Sequence, residues 1–260
     1  MKPELIQTLG DRLYEALQSR APIAPLTETD PGITIDDAYR IQLRMIQRRI
    51  DAGERVIGKK IGVTSRPVMD MLNVRQPDFG HLTSAMVVPD GGAIEAAGLI
   101  APKAEGEIAF LLKHDLRGPG VTAADVLRAT EYVMPCFEIV DSRIRDWKIR
   151  IEDTVADNAS SGMFVLGDQA VDPRELDLSL VGMTLEKNNE IAVTGAGAAA
   201  LGHPVNAVAW LANTLGRLDM GLRAGEVILS GALGAMVPVK AGDQLHLSLG
   251  GMGSASVRFI

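Results

Sequence analysis

The chain has 260 residues, 47% hydrophobic and 23% charged, enough to close a substantial core without disulfide staples. Its single cysteine, Cys136, rules out an intrachain disulfide and fits a reducing cytoplasm. The net charge of −7, with no basic run longer than Arg48-Arg49 or Lys59-Lys60, argues against a nucleic-acid partner, and no apolar stretch approaches the ~20 residues of a membrane span.

Leu5, Leu9, Leu13 and Leu17 recur every four residues and predict a helix over 4–20. Pro22, Pro25, Pro31 and Gly32 mark 21–33 as a linker. Thr34, with Asp37 three residues on, reads as an N-cap with an acidic partner. It opens a second helix from Ile35 to about Ala52, which Gly53 ends. From Val56 the texture changes to short apolar runs between Gly, Pro and Asp. Residues 56–63 read as a strand broken by Gly58 and Gly62, 66–73 as a short helix, and Gln76-Pro77-Asp78-Phe79-Gly80 as a loop. Strands are predicted over 104–112, 134–140 and 163–166, with a helix from Thr122 to about Tyr132. Lys187-Asn188-Asn189 should turn a hairpin between 181–186 and 190–194, since Asn tolerates positive φ. Residues 195–202 form a small-residue loop, and Pro204 suits the first turn of a helix ending near Leu218. Strands over 227–230, 236–239, 245–249 and 255–259 complete the pattern. The organisation expected is α+β: a small helical region over 1–55 on a β-rich catalytic core over 56–260.

If 104–112 is a strand, Glu105 and Glu107 share one face, while Ile108, Phe110 and Leu112 share the other. Two adjacent carboxylates on a buried face demand a cation or a shared proton. A site built only of oxygen suits Mg²⁺ or Mn²⁺. On a solvated edge the same pair needs nothing, and the spacing alone favours that plainer reading. Glu138 lies inside the apolar run 133–140, where a carboxylate requires either a metal or a salt bridge, with Arg143 and Arg145 as nearby partners. By alternation one of Lys59 and Lys60 faces inward and the other outward, unless both snorkel along a strand edge. The glycines beside them allow close approach of a ligand. Asp78 is an acid/base group or a turn-former. Ser160 and Ser161, in the polar run 153–162, offer hydrogen bonds to a substrate carboxylate or simply cap a helix. His203 and Ser230 are candidate ligand contacts in the same sense, each with an ordinary structural alternative. Cys136 has no histidine nearby in the sequence and reads as an inert thiol. There is no P-loop, zinc-ligand spacing or nucleophile elbow.

Several blocks in order carry a resemblance: Gly58-Lys59-Lys60-Ile61-Gly62-Val63-Thr64-Ser65, Gln76-Pro77-Asp78-Phe79-Gly80, Ala104-Glu105-Gly106-Glu107-Ile108, Asp141-Ser142-Arg143-Ile144-Arg145-Asp146-Trp147 and Val155-Ala156-Asp157-Asn158-Ala159-Ser160. Over nearly the whole chain they resemble the 2-hydroxypentadienoate hydratases of meta-cleavage pathways, within the fumarylacetoacetase-like superfamily. The resemblance implies a mixed β-roll or barrel core and a divalent metal, Mg²⁺ or Mn²⁺, held by Glu105, Glu107 and Glu138. It places Lys60 and Asp78 at the chemistry, and implies a small 2-hydroxy-dienoate substrate, a homo-oligomer and a complex with the paired 4-oxalocrotonate decarboxylase. Asn188-Asn189 departs from the Asn-Gly often found in relatives, which should affect only a turn. The rival within the superfamily, 4-oxalocrotonate decarboxylase, uses the same glutamates; the 143–148 block is closer to the hydratases. A carbon–carbon bond hydrolase would need a His-Glu dyad, and none is recognisable around His81, His114, His203 or His246. A non-catalytic partner subunit has no need of the three glutamates or Lys60.

Overall fold

The computed structural model describes all residues, 1–260. Helix α1 (Pro3–Ser19) starts on a proline and buries Leu9, Leu13 and Ala16. A short helix α2 (Leu26–Thr29) follows, and then α3 (Ile35–Asp51), opened by the reciprocal Thr34–Asp37 capping box. Gly10 is where α1 and α3 touch: a Cβ there would stand 2.6 Å from Arg44 Cβ. These helices enclose a small core of Leu9, Leu13, Ile41 and Met45 that also takes in Ile144 and Val155.

The segment 21–33 is not a free linker. Ile23 exchanges main-chain hydrogen bonds with Arg143 (2.9 Å) and Arg145 (2.8 Å), and Asp153 accepts from the Thr27 amide and hydroxyl at 3.0 and 2.7 Å. Prolines shape the segment and Glu28, Asp30 and Ile33 bond within it, but Ile23 and Thr27 take distant partners that local composition does not reveal. Gln42, fully buried on α3, donates to the carbonyls of Phe79 (3.0 Å) and Val155 (2.8 Å), so the helical region is tied to the core.

The core contains β1 (Val56–Gly62), α4 (Arg66–Met71), β2 (Asp78–Thr83), β3 (Val87–Val88), β4 (Ala93–Ile94) and β5 (Lys103–Leu112). Then come α5 (Ala123–Ala129), β6 (Thr130–Val140), α6 (Ile151–Ala156), β7 (Ser161–Leu166), β8 (Gly182–Lys187) and β9 (Glu190–Ala196). Helix α7 (Pro204–Arg217), β10 (Val227–Leu229), β11 (Val237–Pro238), β12 (Gln244–Leu249) and β13 (Gly253–Phe259) finish the chain. An eight-stranded mixed sheet runs β2-β1-β10-β5-β6-β7-β3, with β11 also on β5; a five-stranded sheet runs β4-β13-β12-β8-β9. The main core, which includes Phe110, Phe137, Leu185, Leu211, Leu247 and Phe259, draws on both sheets and on α7. This is the α+β fold expected, with a curled mixed sheet and a helical N-terminal region.

Two boundaries differ from expectation. The helix after Thr122 stops at Ala129, because Thr130 onward pairs with β5; Tyr132 stands opposite Leu111. Asp78 and Phe79 are not loop but the start of β2, wholly buried, with Asp78 opposite Gly62 of β1. The hairpin turn is as expected, with Asn188 and Asn189 at φ 56° and 66°. No helix is long and apolar enough to cross a membrane.

Candidate active site

Strand register assembles the acidic group. Glu105 on β5 stands directly opposite Glu138 on β6, and Glu107 lies two residues along on the same face. Their carboxylate oxygens lie within 4.8 Å of one another. Glu138 is fully buried, and neither of its oxygens has an aligned hydrogen-bond donor. Glu107 accepts from the Gly231 amide at 2.8 Å. Burial raises all three carboxyl pKa values, Glu105 to about 7 and Glu107 well above the ordinary range, with Glu138 adding to both. Such a set cannot be wholly ionised and uncompensated. It could hold one hard divalent cation, for which three carboxylate oxygens and no nitrogen or sulfur are suitable donors.

The solvated-edge reading of Glu105 and Glu107 fails, as does the pairing of Glu138 with Arg143 or Arg145. The partner of Glu138 is Lys60, whose Nζ lies 3.3 Å from Oε2 and donates to the Ala159 carbonyl at 3.0 Å. Burial opposes the ammonium charge, but Glu138, Asp78, Glu105 and Glu107 outweigh it and hold the Lys60 pKa above the ordinary lysine value. Lys59 does face the other way, yet not to solvent: it is buried and paired with Glu226 at 3.0 Å.

Asp78 is 2% exposed and its Oδ1 has no partner. A side chain at Gly62 would strike that oxygen and crowd Lys60 Nζ, so glycine keeps the two groups in one space. Burial pushes the Asp78 carboxyl up, against the opposing pull of Lys60. Lys60, Asp78, Glu105 and Ser160 line one cavity of about 300 Å³, whose remaining wall is largely apolar, including Val68, Met71, Val140, Trp147 and Ile149.

Ser160 shares its hydroxyl with Thr154 at 3.2 Å, and Ser161 lies beside Glu138 and favours its charged form. Ser230 Oγ is buried without a partner, one residue before the amide that holds Glu107. His203 is not brought to the cavity lining; it caps α7, its Nδ1 accepting from the Val205 amide at 3.2 Å. His81 Nδ1 pairs with Gln42 Oε1 at 3.0 Å, and His114 and His246 are exposed, so no His-Glu dyad forms.

Arg143 does different work from that expected of it. It is fully buried and pairs with Asp157, Nε to Oδ1 at 2.5 Å, while its other nitrogens reach the carbonyls of Asp141, Asp157 and Ser161. These contacts clamp a turn in which Asn158, Ala159 and Ser160 all have positive φ, 53°, 49° and 54°. Such conformations are costly for non-glycine residues and persist only when surroundings enforce them. The turn presents the Ala159 carbonyl to Lys60, and Asn158 bonds both main-chain groups of His81 on β2. Arg143→Met should lower stability by about 3–5 kcal/mol, the usual cost of stranding a buried charge. Chemical denaturation measures this; a loss below about 1 kcal/mol would refute the clamp. The sequence signal was an arginine and an aspartate in neighbouring blocks, with nothing to pair them.

The family model described as fumarylacetoacetate (FAA) hydrolase C-terminal matches residues 52–260. This chain belongs to the fumarylacetoacetate hydrolase family. It is 60% identical to a 2-hydroxyhexa-2,4-dienoate hydratase of Comamonas testosteroni over 258 residues, covering 98% of each chain. It is 65% identical to a 2-hydroxypent-2,4-dienoate hydratase of Pseudomonas putida over 221 residues, 85% of this chain and all of that one. Among solved structures it is similar to 4-oxalocrotonate decarboxylase from Pseudomonas putida G7, complexed with magnesium and adipate: TM-score 0.98, 38% identity, covering 100% of this chain and 99% of that one.

Proposed function

We propose that this chain is a hydro-lyase that adds water to 2-hydroxypenta-2,4-dienoate, or to a short 5-alkyl relative, giving 4-hydroxy-2-oxopentanoate in the meta-cleavage degradation of aromatic compounds. The observation that carries the reading is a cluster of three carboxylates that reaches one small, largely apolar cavity through Glu105, where Lys60, paired with Glu138, and Asp78 also line the wall. The hydratase relatives at 60% and 65% identity support the reaction type. Under this reading the enzyme works in the cytoplasm as a homo-oligomer, alongside the decarboxylase that supplies its dienoate.

Held by Glu105, Glu107 and Glu138, Mg²⁺ or Mn²⁺ would supply Lewis-acid polarisation of a 2-oxo acid. Everything else falls to the chain. Three glutamates and a divalent ion leave a net negative site, so an anionic substrate needs a nearby cation, and Lys60 is the cation in the cavity lining. In the reaction the dienol loses its 2-hydroxyl proton and gains one at carbon 5, becoming a 2-oxo-3-enoate. Water then adds hydroxyl at carbon 4 and a proton at carbon 3. Asp78, with a pKa raised by burial and no partner on Oδ1, is suited to carry a proton between these positions. Ser160, on the cavity wall, offers a hydroxyl to the substrate; Ser161 favours the charged form of Glu138, and Ser230, next to the amide that holds Glu107, has an unpartnered hydroxyl suited to a ligand.

The near-superposition on a decarboxylase favours one other reading, release of carbon dioxide from 4-oxalocrotonate. Solvent-oxygen labelling with mass analysis separates them. We expect solvent oxygen at carbon 4 of the product from 2-hydroxypenta-2,4-dienoate, and little carbon dioxide from 4-oxalocrotonate. The reverse pattern replaces hydration with decarboxylation. Loss of dienol absorbance is insufficient, because ketonisation bleaches it too.

A further inference from the structure

Trp147 stands between two cavities. On one side is the chamber of about 300 Å³ that holds Lys60, Asp78 and Glu105; on the other is a recess of about 410 Å³ whose lining includes Lys103 and Lys240. Trp147 lines both. Its indole N–H donates to the Ala101 carbonyl at 2.9 Å, and Lys103 Nζ sits 4.1 Å from the ring centroid. Asp146 and Trp147 both adopt left-handed backbone, at φ 58° and 55°, which is uncommon for bulky residues and suggests a functional constraint. A ring pinned by a hydrogen bond, a cation and its own backbone is a fixed wall rather than a swinging flap.

The two sides of that wall differ in charge. The cation in the chamber lining, Lys60, is engaged with Glu138 and the Ala159 carbonyl and, under the functional reading, serves the carboxylate at the substrate's other end. The rest of the chamber lining is largely apolar, with Val140, Ile149, Met71 and Met236, and its other charged groups, Asp78 and Glu105, are acidic. An alkyl tail there gains from burial, about fourfold per methylene. A second carboxylate at the tail's end would be desolvated with no partner. Lys103 and Lys240, which could pair with it, line the recess and not the chamber, and Lys103, held over the indole, is already drawn toward Glu105.

Resting on the functional reading above, we propose that Trp147 is a specificity-determining partition: it limits the length of the substrate tail and, by screening Lys103 and Lys240, keeps that tail uncharged. The test compares wild type with Trp147→Ala and Trp147→Leu, the second guarding against an unfolded first. Two readouts are taken: kcat/KM across 2-hydroxy-dienoates of increasing 5-alkyl length, and calorimetric binding of hexanoate and adipate with Mg²⁺ present, which needs no turnover. For the wild type we expect kcat/KM to rise with tail length to a limit and then fall, and hexanoate to bind at least about tenfold tighter than adipate. Trp147→Ala moves the limit to longer tails and brings adipate level with hexanoate; Trp147→Leu falls between. Adding Lys103→Met to Trp147→Ala weakens adipate again and leaves hexanoate alone. A folded variant of either size that keeps both the wild-type tail limit and the wild-type hexanoate-to-adipate ratio overturns the proposal. If the wild type hydrates no dienoate, the functional reading fails, and the binding ratio alone still decides the partition.

Discussion

Glu107→Gln is expected to abolish the stabilisation that Mg²⁺ or Mn²⁺ gives the wild-type protein, and to lower turnover by more than the roughly 10–100-fold typical of changing an outer metal contact. The substitution is nearly isosteric, and a glutamine oxygen can still accept from the Gly231 amide that Glu107 holds at 2.8 Å. Removing one charge also relieves repulsion among carboxylates crowded within 4.8 Å. The metal-free variant should therefore be at least as stable as the metal-free wild type. A cation at about a hundred times its Kd adds ~2.7 kcal/mol to a protein that binds it only when folded, a rise of about 5–10 °C in a chain of this size. Thermal melts with and without metal read this directly. Because burial and Glu138 push Glu105 up to about 7, protons compete for the same oxygens, and wild-type metal affinity should weaken as pH falls below about 7. Equal metal-induced shifts in wild type and variant, or full turnover in excess chelator, would remove the metal site from these residues.

That site was legible in the sequence to the extent that it depends on strand alternation and on a charge embedded in an apolar run. Glu105 and Glu107 follow from period two, and Glu138 is conspicuous among Val133, Phe137 and Ile139. Their meeting was not legible, because it depends on the β5–β6 register that sets Glu105 opposite Glu138. The helices and the Asn188-Asn189 hairpin were legible because periodicity, capping and turn chemistry are local. Asp78 was misplaced for the same reason: Gln-Pro-Asp-Phe-Gly is good turn chemistry, and only pairing with β1 makes it strand. The pairs Lys59–Glu226 and Arg143–Asp157 join residues that neither helix nor strand spacing would match. What local patterning misses here is chiefly polar: buried charges take partners that the fold supplies from elsewhere.

Lys60 and Lys59 put this distinction to its hardest test, since they are adjacent, both buried, and both ion-paired. Lys60→Met is expected to lower kcat/KM by about a hundred- to a thousandfold, the loss typical of removing one preorganised electrostatic group from a site. Metal should bind at least as tightly as in the wild type, because the ammonium that competes for Glu138 is gone. The metal-free variant should be less stable, since Glu138, Asp78, Glu105 and Glu107 lose their shared counter-charge; adding metal should then recover more stability than it does in the wild type. Lys60→Arg should not rescue turnover fully, because a planar guanidinium cannot place its charge as an ammonium does between the Ala159 carbonyl and Glu138. Lys59→Met breaks a pair on the opposite face, away from the cavity. It should cost about 1–3 kcal/mol of stability by stranding Glu226, and leave turnover per folded molecule close to wild type. Measuring kcat/KM, metal-dependent melting and denaturant stability on all three variants separates a charge that serves the substrate from one that serves the fold. If Lys59→Met and Lys60→Met lose turnover alike while both remain folded and metal-bound, then facing the cavity is not what makes Lys60 matter, and its assignment to the substrate's negative charge is wrong.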